Sequence, residues 1–449
     1  MSIQFTRFTS DQITKMAPDS QVAAAGKSLA SAKHWQRTGL SEGVLWGECK
    51  GSAIYQVRID LSSMAVKCSC LSRKQPCKHA IGLLLLTSTA PDLITEQEAP
   101  DWLKEWLSRQ AAASKRKETR AAKPATDAAE AQKAARQKTQ QKREAQIQRG
   151  LERLDLWLND LVRSGLSSLE TQPARFWEDQ AARMVDAQAP GIAARLRRMA
   201  ALPNASPDWP EKVLRQMGQI ALLTQAYRRI DQLEASLQED VRLLVGWTLT
   251  EEEVSARGEH VIDDWLILGQ VNEDAPRGTT QRTWLLGAIT RRSAVIEQYA
   301  PPGGIYPQVI PPGSCWQAEI TYWPGAAPQR ARIEQLHRTG DVIQQRLPGV
   351  AGIEEFFNEV AALVARQPWR ERFLCAIRDV VPLYDTTGQR WYIRDRQGLA
   401  LPLHGNGHWQ LLALSGGHPV DFAGEWDGEA LLPFGIFTHG SYYLLERTA

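Results

Sequence analysis

The spacing of apolar residues changes along the chain and divides it into regions of different predicted secondary structure. Residues 9–33 have helical spacing, and alternation across 43–60 predicts a hairpin of two strands around Lys50-Gly51-Ser52. Residues 151–245 repeat apolar side chains at intervals of three and four, which predicts packed helices. From Trp247 onward, short apolar runs separated by Pro and Gly predict strands.

The second half of the chain is predicted to contain several strands and one helix. Strands are predicted at residues 265–271, 283–289 and 316–323. A helix follows, because one helical face collects six apolar residues: Ile353, Phe356, Phe357, Val360, Leu363 and Val364. Beyond it, three runs predict a strand meander: RWYIRD, GLALPL and HWQLLAL. Asn406-Gly407 before the last run is typical of a tight hairpin turn.

Residues 109–150 differ in composition from the rest of the chain. Aromatic residues are absent, and twelve basic residues stand against four acidic ones, a net charge of about +8 by formal counting. The whole chain carries only +2, so the positive charge is concentrated in this segment. A solvated helical or disordered linker is the first interpretation, and a polyanion-binding arm is the second.

Three of the six cysteines lie within ten positions of one another, beside a histidine. Cys68 and Cys70 occupy alternate positions of a predicted strand, so both side chains can face one ion. Pro76 and the apolar run from Ala80 to Leu86 place Cys77 and His79 at the start of a helix. Three thiolates and one imidazole are the ligands of a closed tetrahedral zinc site, so one structural zinc ion is predicted.

Four basic residues surround these ligands, and they form a candidate nucleic-acid contact surface: Lys67, Arg73, Lys74 and Lys78. Their charge favours the deprotonated thiols that metal binding requires. Four unrelated residues, a redox-active cysteine pair and a Cys77–His79 nucleophilic dyad are the alternatives to a zinc site. Cys49, Cys315 and Cys375 are scattered and are predicted to be small buried side chains.

The C-x-C-x6-C-x-H pattern, preceded by the hairpin WGECKGSAIYQVRI and followed by an apolar helix, resembles the SWIM zinc finger. The resemblance covers roughly residues 20–90, and it implies that Cys68, Cys70, Cys77 and His79 bind zinc. It also implies DNA binding or protein–protein interaction. Bacterial members with long extensions are associated with MoxR-type AAA+ ATPases and von Willebrand A-domain proteins, so these are the partners that the resemblance implies.

The chain is predicted to be an α+β multidomain protein. Its 449 residues exceed the roughly 250–300 at which one hydrophobic core stops growing. We expect a small N-terminal zinc-binding α/β module, a helical middle and a β-rich C-terminal half. The predicted boundaries are 1–108 for the zinc module with flanking helices, 109–150 for the linker, 151–245 for the helical region, 246–345 for a β-rich domain, and 346–449 for a domain of one helix and a β-meander.

The longest apolar run is far shorter than a membrane span, and the N-terminus has no secretory signal pattern. We therefore expect a cytoplasmic protein without a membrane segment. Gly26-Lys27-Ser28 imitates a phosphate-binding loop, but Gln21 replaces the required earlier glycine, so a helix end is the better interpretation. Trp35, Trp46 and Tyr55 could stack on bases, although core packing explains them better.

Three functional hypotheses follow. The first is a non-enzymatic interaction or scaffold protein that works in protein assembly. The second is DNA or RNA binding through the basic zinc module and linker. The third is a hydrolase, because four of the eight histidines, His404, His408, His418 and His439, fall in the last 46 residues. Asp385 precedes this segment, and Asp421 and Glu425 lie within it.

Overall fold

The computed structural model describes residues 10–18, 20–61, 64–70, 72, 74, 76–108, 127–275, 277–302, 304, 306–405 and 407–446. These residues form an N-terminal α/β module, a bundle of helices, a closed β-barrel and a six-stranded sheet. The predicted α+β class, with a helical middle and a β-rich C-terminal half, is confirmed. Within these residues, no helix is both long and apolar enough to cross a bilayer.

The N-terminal module is a four-stranded antiparallel sheet with helices on both faces, and the predicted hairpin is confirmed as its second and third strands. Its helices are α1 Ser10–Lys15, α2 Ser20–Leu29, α3 Lys78–Thr89 and α4 at residues 101–108. Its strands are β1 Trp35–Ser41, β2 Val44–Lys50, β3 Ile54–Asp60 and β4 Ala65–Cys68, in that order across the sheet. Short 3-10 turns occupy 32–34 and 91–93.

Helix α3 is buried on almost every side and packs on one face of this sheet, while α4 covers the other. On the α3 face, Trp35, Leu45 and Val57 share a core with Leu83. On the α4 face, Trp102 packs edge-on against Trp46, with ring centroids 6.4 Å apart. Because both faces are covered, a sheet of only four strands gains a core on each side.

Gly26 allows α2 and α3 to approach each other closely. A Cβ atom added there would lie 2.4 Å from Cγ2 of Ile81, and one added at Gly82 would lie 2.9 Å from Cβ of Leu29. Gly26-Lys27-Ser28 therefore lies within a packed helix, in agreement with the helical interpretation.

The middle region is a bundle of long helices. They are α5 Asp127–Ser164, α6 Ala174–Asp186, α7 Pro190–Met199, α8 Trp209–Arg228 and α9 Ala235–Val245, with 3-10 turns at 166–171 and 230–232. Its core includes Ile147, Leu154, Trp177 and Leu223. Helix α5 begins inside the segment predicted as a linker and continues without a break past residue 150.

The barrel begins with the short helix α10, Glu251–Arg257, whose Thr250 and Glu253 form a capping box. Its strands are β5 His260–Ala275, β6 Gly278–Gly287, β7 Ser293–Ala300, β8 Ser314–Tyr322 and β9 Arg330–Val342. The closed order is β5-β6-β7-β9-β8, and β7 and β9 are parallel. The 16-residue β5 closes the barrel because it pairs with β8 through its first half and with β6 through its second.

The C-terminal sheet has the order β12-β11-β10-β13-β14-β15. Its strands are β10 Phe373–Asp385, β11 Arg390–Arg394, β12 Ala400–Pro402, β13 Val420–Trp426, β14 Leu431–Thr438 and β15 Ser441–Leu444. Helices α11 Ile353–Arg366 and α12 Trp409–Ser415 accompany it. The predicted helix at 353–364 is confirmed, although Phe357 and Val364 remain more than a third exposed.

The prediction of a strand in HWQLLAL was wrong, since this segment contains α12. Leu411 and Ser415 are buried one helical turn apart, and Gly416 ends the helix in a left-handed conformation, with φ of 58°. Such a glycine is the usual helix stop, and it outweighed the apolar run that suggested a strand. Asn406 of the predicted hairpin lies outside the described residues.

Two shared cores attach the barrel to its neighbours. Apolar residues of the zinc module and the barrel interior form one cluster, and the backbone N–H of Val309 donates to the carbonyl of Met64 at 3.2 Å. On the outer face of the barrel, Trp284 packs with Phe434 of the C-terminal sheet. The carboxylate of Glu425 accepts hydrogen bonds from Arg282 at 2.8 Å and from the Trp284 indole.

We expect Gly26→Ala to destabilise the protein by about 1–3 kcal/mol, because the new methyl group would overlap Ile81 at the closest approach of α2 and α3. Urea denaturation measures the change in the free energy of unfolding.

Gly218→Ala is the matched control, since Gly218 lies on the exposed side of α8 with no atom within 4 Å of the added Cβ. It should stabilise the protein by roughly 0.5–1 kcal/mol through helix propensity. Equal effects of the two substitutions would contradict the close helix contact.

Candidate metal centre

Cys68, Cys70, Cys77 and His79 come together at one end of the N-terminal sheet. One potential ligand atom from each residue lies within 4.8 Å of those of the other three. The predicted ligands are therefore positioned to bind one zinc ion.

The local backbone explains how side chains from two separate elements meet at this point. Cys68 is the last residue of β4, and Cys70 follows in the bend after it. Two hydrogen bonds between Ser69 and Gln56 hold this bend against β3. The N–H of Ser69 donates to the carbonyl of Gln56 at 2.9 Å, and the N–H of Gln56 donates to Oγ of Ser69.

The other two ligands come from the start of α3. Cys77 is the N-cap residue, with φ of −74° and ψ of 168°, and His79 lies in the first turn. The change from extended to helical backbone turns both side chains toward the end of β4. The prediction that a helix starts at this pair is confirmed.

The measured separations fit tetrahedral zinc coordination. Nδ1 of His79 lies 3.7 Å from Sγ of Cys68 and 4.0 Å from Sγ of Cys77. Zinc bonds of about 2.3 Å to sulfur and about 2.0 Å to nitrogen, at tetrahedral angles, place such atoms roughly 3.5–3.8 Å apart. Nδ1 is therefore the imidazole atom suited to bind the ion, and small adjustments close the site.

The ligands are shielded from water. Cys77 is 0% exposed, His79 is 4% exposed, and Cys70 is partly exposed. The ring of Tyr55 stacks on His79 at a centroid distance of 4.5 Å and an interplanar angle of 26°. The hydroxyl of Tyr55 lies 2.7 Å from Oγ of Ser52, so the β2–β3 turn holds the ring that supports the histidine.

Without a cation, the surroundings of the three thiols favour ionisation of Cys77 and oppose ionisation of Cys68 and Cys70. The hydrogen bond from Cys68 and the one from His79 lower the pKa of Cys77, although burial opposes them. The pKa of Cys68 is raised because its proton is held in the hydrogen bond to Cys77 and because it is buried. Burial also raises the pKa of Cys70. A divalent cation removes this conflict, since it stabilises three neighbouring thiolates at once.

The basic residues predicted around the site are only partly within the described chain. Lys67, Lys74 and Lys78 are exposed, and Arg73 lies outside the described residues. Lys67 is on β4 opposite Arg58 of β3, and the guanidinium of Arg58 lies over the ring of Trp106 at 4.5 Å. The described lysines therefore give the metal end of the module a basic surface, while their contact with nucleic acid stays a prediction.

Residues 68–79 thus form a zinc finger with a closed Cys3His ligand set. Comparison with known families agrees: residues 55–87 match the SWIM zinc finger, and residues 142–245 match the SWIM-associated four-helix bundle domain. The chain therefore carries a SWIM zinc finger and a SWIM-associated four-helix bundle domain. No curated protein and no solved structure matches it.

The C-terminal histidines do not assemble into a second metal group. His404 pairs through Nε2 with Asp427 at 2.7 Å, and Nε2 of His408 lies 2.8 Å from the carbonyl oxygen of His404. His418 and His439 are exposed in separate turns. Among the described residues, the cluster at Cys68 is the one group of three or more side chains that could hold a metal ion. A hydrolase site in this region stays a prediction.

Several aromatic and cysteine side chains have structural positions. Trp35 and Trp46 are buried, as the core-packing interpretation predicted, whereas Tyr55 supports a zinc ligand, a role that sequence reasoning missed. The available signal was strand alternation, which puts Tyr55 on the same face of β3 as Val57, the residue that pairs with the ligand Cys68. Cys49 and Cys375 are buried as predicted, and Cys315 is partly exposed.

We expect Cys77→Ser to reduce bound zinc from about one ion per chain to near zero, because it removes a buried ligand from a closed site. Metal analysis of the purified protein measures the loss. Hydrogen exchange should rise in β4 and in the first turns of α3.

Cys315→Ser is the control, since this cysteine lies in the barrel and should leave the zinc content unchanged. Full zinc occupancy in the Cys77→Ser protein would contradict the assigned ligand set.

Proposed function

We propose that this protein is a non-enzymatic interaction protein whose zinc finger binds other proteins in an assembly. The observation that carries the proposal is the closed ligand set of Cys68, Cys70, Cys77 and His79. A catalytic zinc ion keeps one position for water or substrate, whereas four protein ligands leave none. The ion then stabilises the module, and the surface of the module performs the function.

The surface best connected to the metal is the β2–β3 turn at residues 50–54. Ile54 is 52% exposed there, and Lys50 is exposed beside it. Tyr55, the next residue, stacks on His79, so zinc binding and the position of this turn depend on the same contact. An exposed apolar side chain with a lysine in the same turn suits a protein partner that offers an apolar pocket and an acidic group beside it.

The partners that the SWIM resemblance implies are an AAA+ ATPase of the MoxR type and von Willebrand A-domain proteins. In such an assembly the ATPase supplies the chemical energy and the zinc finger contributes binding. We therefore propose these two classes as the first candidates for reconstitution with the purified chain.

Ile54→Asp should weaken the complex with a stable protein partner by at least about tenfold, because it places a charge in the apolar contact. Purification of the tagged protein, followed by titration of the purified partner, measures the change in dissociation constant.

Ile262→Asp is the matched control, since Ile262 is also exposed, at 61%, but lies on the barrel strand β5. It should leave the affinity unchanged. Recovery of chaperones alone, without a stoichiometric partner, would argue strongly against an assembly protein.

Nucleic-acid binding is the second candidate, and the exposed lysines around the metal end favour it. Lys67, Lys74 and Lys78 extend from β4 to the start of α3. The exposed basic side chains of α5, which include Lys138 and Arg149, would add to the same interaction. Such contacts are made to phosphates and carry little sequence preference.

Replacing Lys67, Lys74 and Lys78 with Gln should weaken DNA or RNA binding and lower the slope of log affinity against log salt, by about 0.7–0.9 for each phosphate that is no longer neutralised. Fluorescence anisotropy with mixed-sequence oligonucleotides at several salt concentrations measures both quantities. If the unmodified protein shows no binding at low salt, the nucleic-acid hypothesis fails.

A further inference from the structure

A cleft separates the helical bundle from the barrel, and it consists of two adjoining cavities of about 610 and 690 Å3. Bundle helices α7 and α9 form one wall of both. The opposite wall of the first cavity is the β8–β9 loop with Trp323 and Pro324, and that of the second is the outer face of β6 and β7. The segment after α11, with Gln367 and Arg370, lines both cavities.

Most arginines of the cleft already have a carboxylate partner. The measured pairs are Arg282–Glu425 at 2.8 Å, Arg282–Glu273 at 2.9 Å, Arg330–Glu297 at 3.1 Å and Arg372–Asp427 at 3.3 Å. Two arginines of α7 share a single carboxylate. Glu371 forms an ion pair with Arg195 at 2.7 Å and with Arg198 at 3.5 Å. One carboxylate there faces two guanidinium groups.

Arg370 differs from these residues, since no ion pair to it is found in the described part of the chain. Its guanidinium donates to the carbonyl of Ala327 and to Oε1 of Gln367, at 2.9 and 3.0 Å. The nearest compensating charge is the carboxylate of Asp240. Gln367 bridges the two residues, because its Nε2 donates to Asp240 at 2.7 Å while its Oε1 accepts from Arg370. Burial lowers the pKa of Arg370 to about 10, so the group stays protonated at neutral pH.

A partly buried cation with no carboxylate in direct contact is costly, and an anion entering the cleft offsets that cost. Two neutral hydrogen-bond acceptors already hold the guanidinium of Arg370 at the junction of the two cavities, so little ordering is needed when an anion binds. Around Glu371 two guanidinium groups share one carboxylate, and this local excess of positive charge favours an anion with more than one negative charge, such as a phosphate ester.

The first cavity also offers apolar surface for the rest of such a molecule. Its lining includes Trp247, Leu249, Trp323 and Pro324. Its volume lies in the range of about 300–1,000 Å3 that small-molecule sites occupy. We propose that the cleft binds a small organic phosphate, of the size of a mononucleotide, whose phosphate group pairs with Arg370 between the helical bundle and the barrel.

Calorimetric titration of the full chain with adenosine 5′-monophosphate, inorganic pyrophosphate and uncharged adenosine tests the proposal. We expect the monophosphate to bind at least about tenfold more tightly than adenosine, and Arg370→Gln to remove that difference. If pyrophosphate binds and the monophosphate does not, the cleft binds anions, but the proposal that it binds an organic phosphate is wrong. No binding of either phosphate at millimolar concentration would overturn the whole proposal.

A control variant separates the role of Arg370 from a general effect of charge. Arg338→Gln removes the same charge from the exposed side of β9, outside both cavity linings, and should leave the affinity unchanged. An equal loss in this variant would contradict the assignment to Arg370.

Hydrogen exchange of the unmodified protein gives a measurement that does not depend on any variant. Bound monophosphate should protect both walls of the first cavity, at residues 246–249 and 323–329. Protection elsewhere and none at these segments would overturn the location of the site, even if Arg370→Gln does not fold.

Discussion

The N-terminal part of this protein depends on one electrostatic constraint: three neighbouring thiols can be ionised together only around a cation. Cys68 ends the last strand of the sheet and Cys70 lies in the bend after it, while Cys77 caps the helix α3 and His79 lies in its first turn. An ion bound there links the two elements at the point where the chain changes direction. Because α3 is the most buried helix of the module, the link orients the helix that both the sheet and α2 pack against.

The same link reaches beyond the zinc finger. The core around α3 is continuous with the interior of the barrel, and Met64, just before β4, is hydrogen-bonded to Val309 in the β7–β8 connection. Residues about 250 positions apart in sequence thus share one packed cluster. The module is small, so contact with the barrel and the bound ion add stability to the cores that its sheet buries on each face.

Local features could be predicted from the sequence, and contacts between distant segments could not. The β2–β3 hairpin and the zinc site each form between residues close together in sequence. Strand alternation indicates the hairpin and the first two zinc ligands, and the start of an apolar helix indicates the other two. Barrel closure depends on β5 pairing with β6 and with β8, about 50 residues later. A bulge between Ile267 and Gly269 also shifts the side-chain alternation within β5, which hides the length of the strand.

The way the barrel is packed changes the balance between the two functional hypotheses. Five-stranded Greek-key barrels of the OB type bind oligonucleotides on the face of their second and third strands. Here the corresponding strands are β6 and β7, and Trp284 on this face is fully buried and hydrogen-bonded to Glu425. Arg282 beside it is neutralised by Glu425 and Glu273, so Trp284 is not free to stack on a base and Arg282 adds no excess of positive charge. The exposed ring on this face is Tyr299 of β7, at 49%. Nucleic-acid binding would therefore have to rest on the lysines of the zinc finger and on α5. That requirement makes the protein-assembly hypothesis the simpler one, because it needs only the turn that Tyr55 joins to the metal ligand His79.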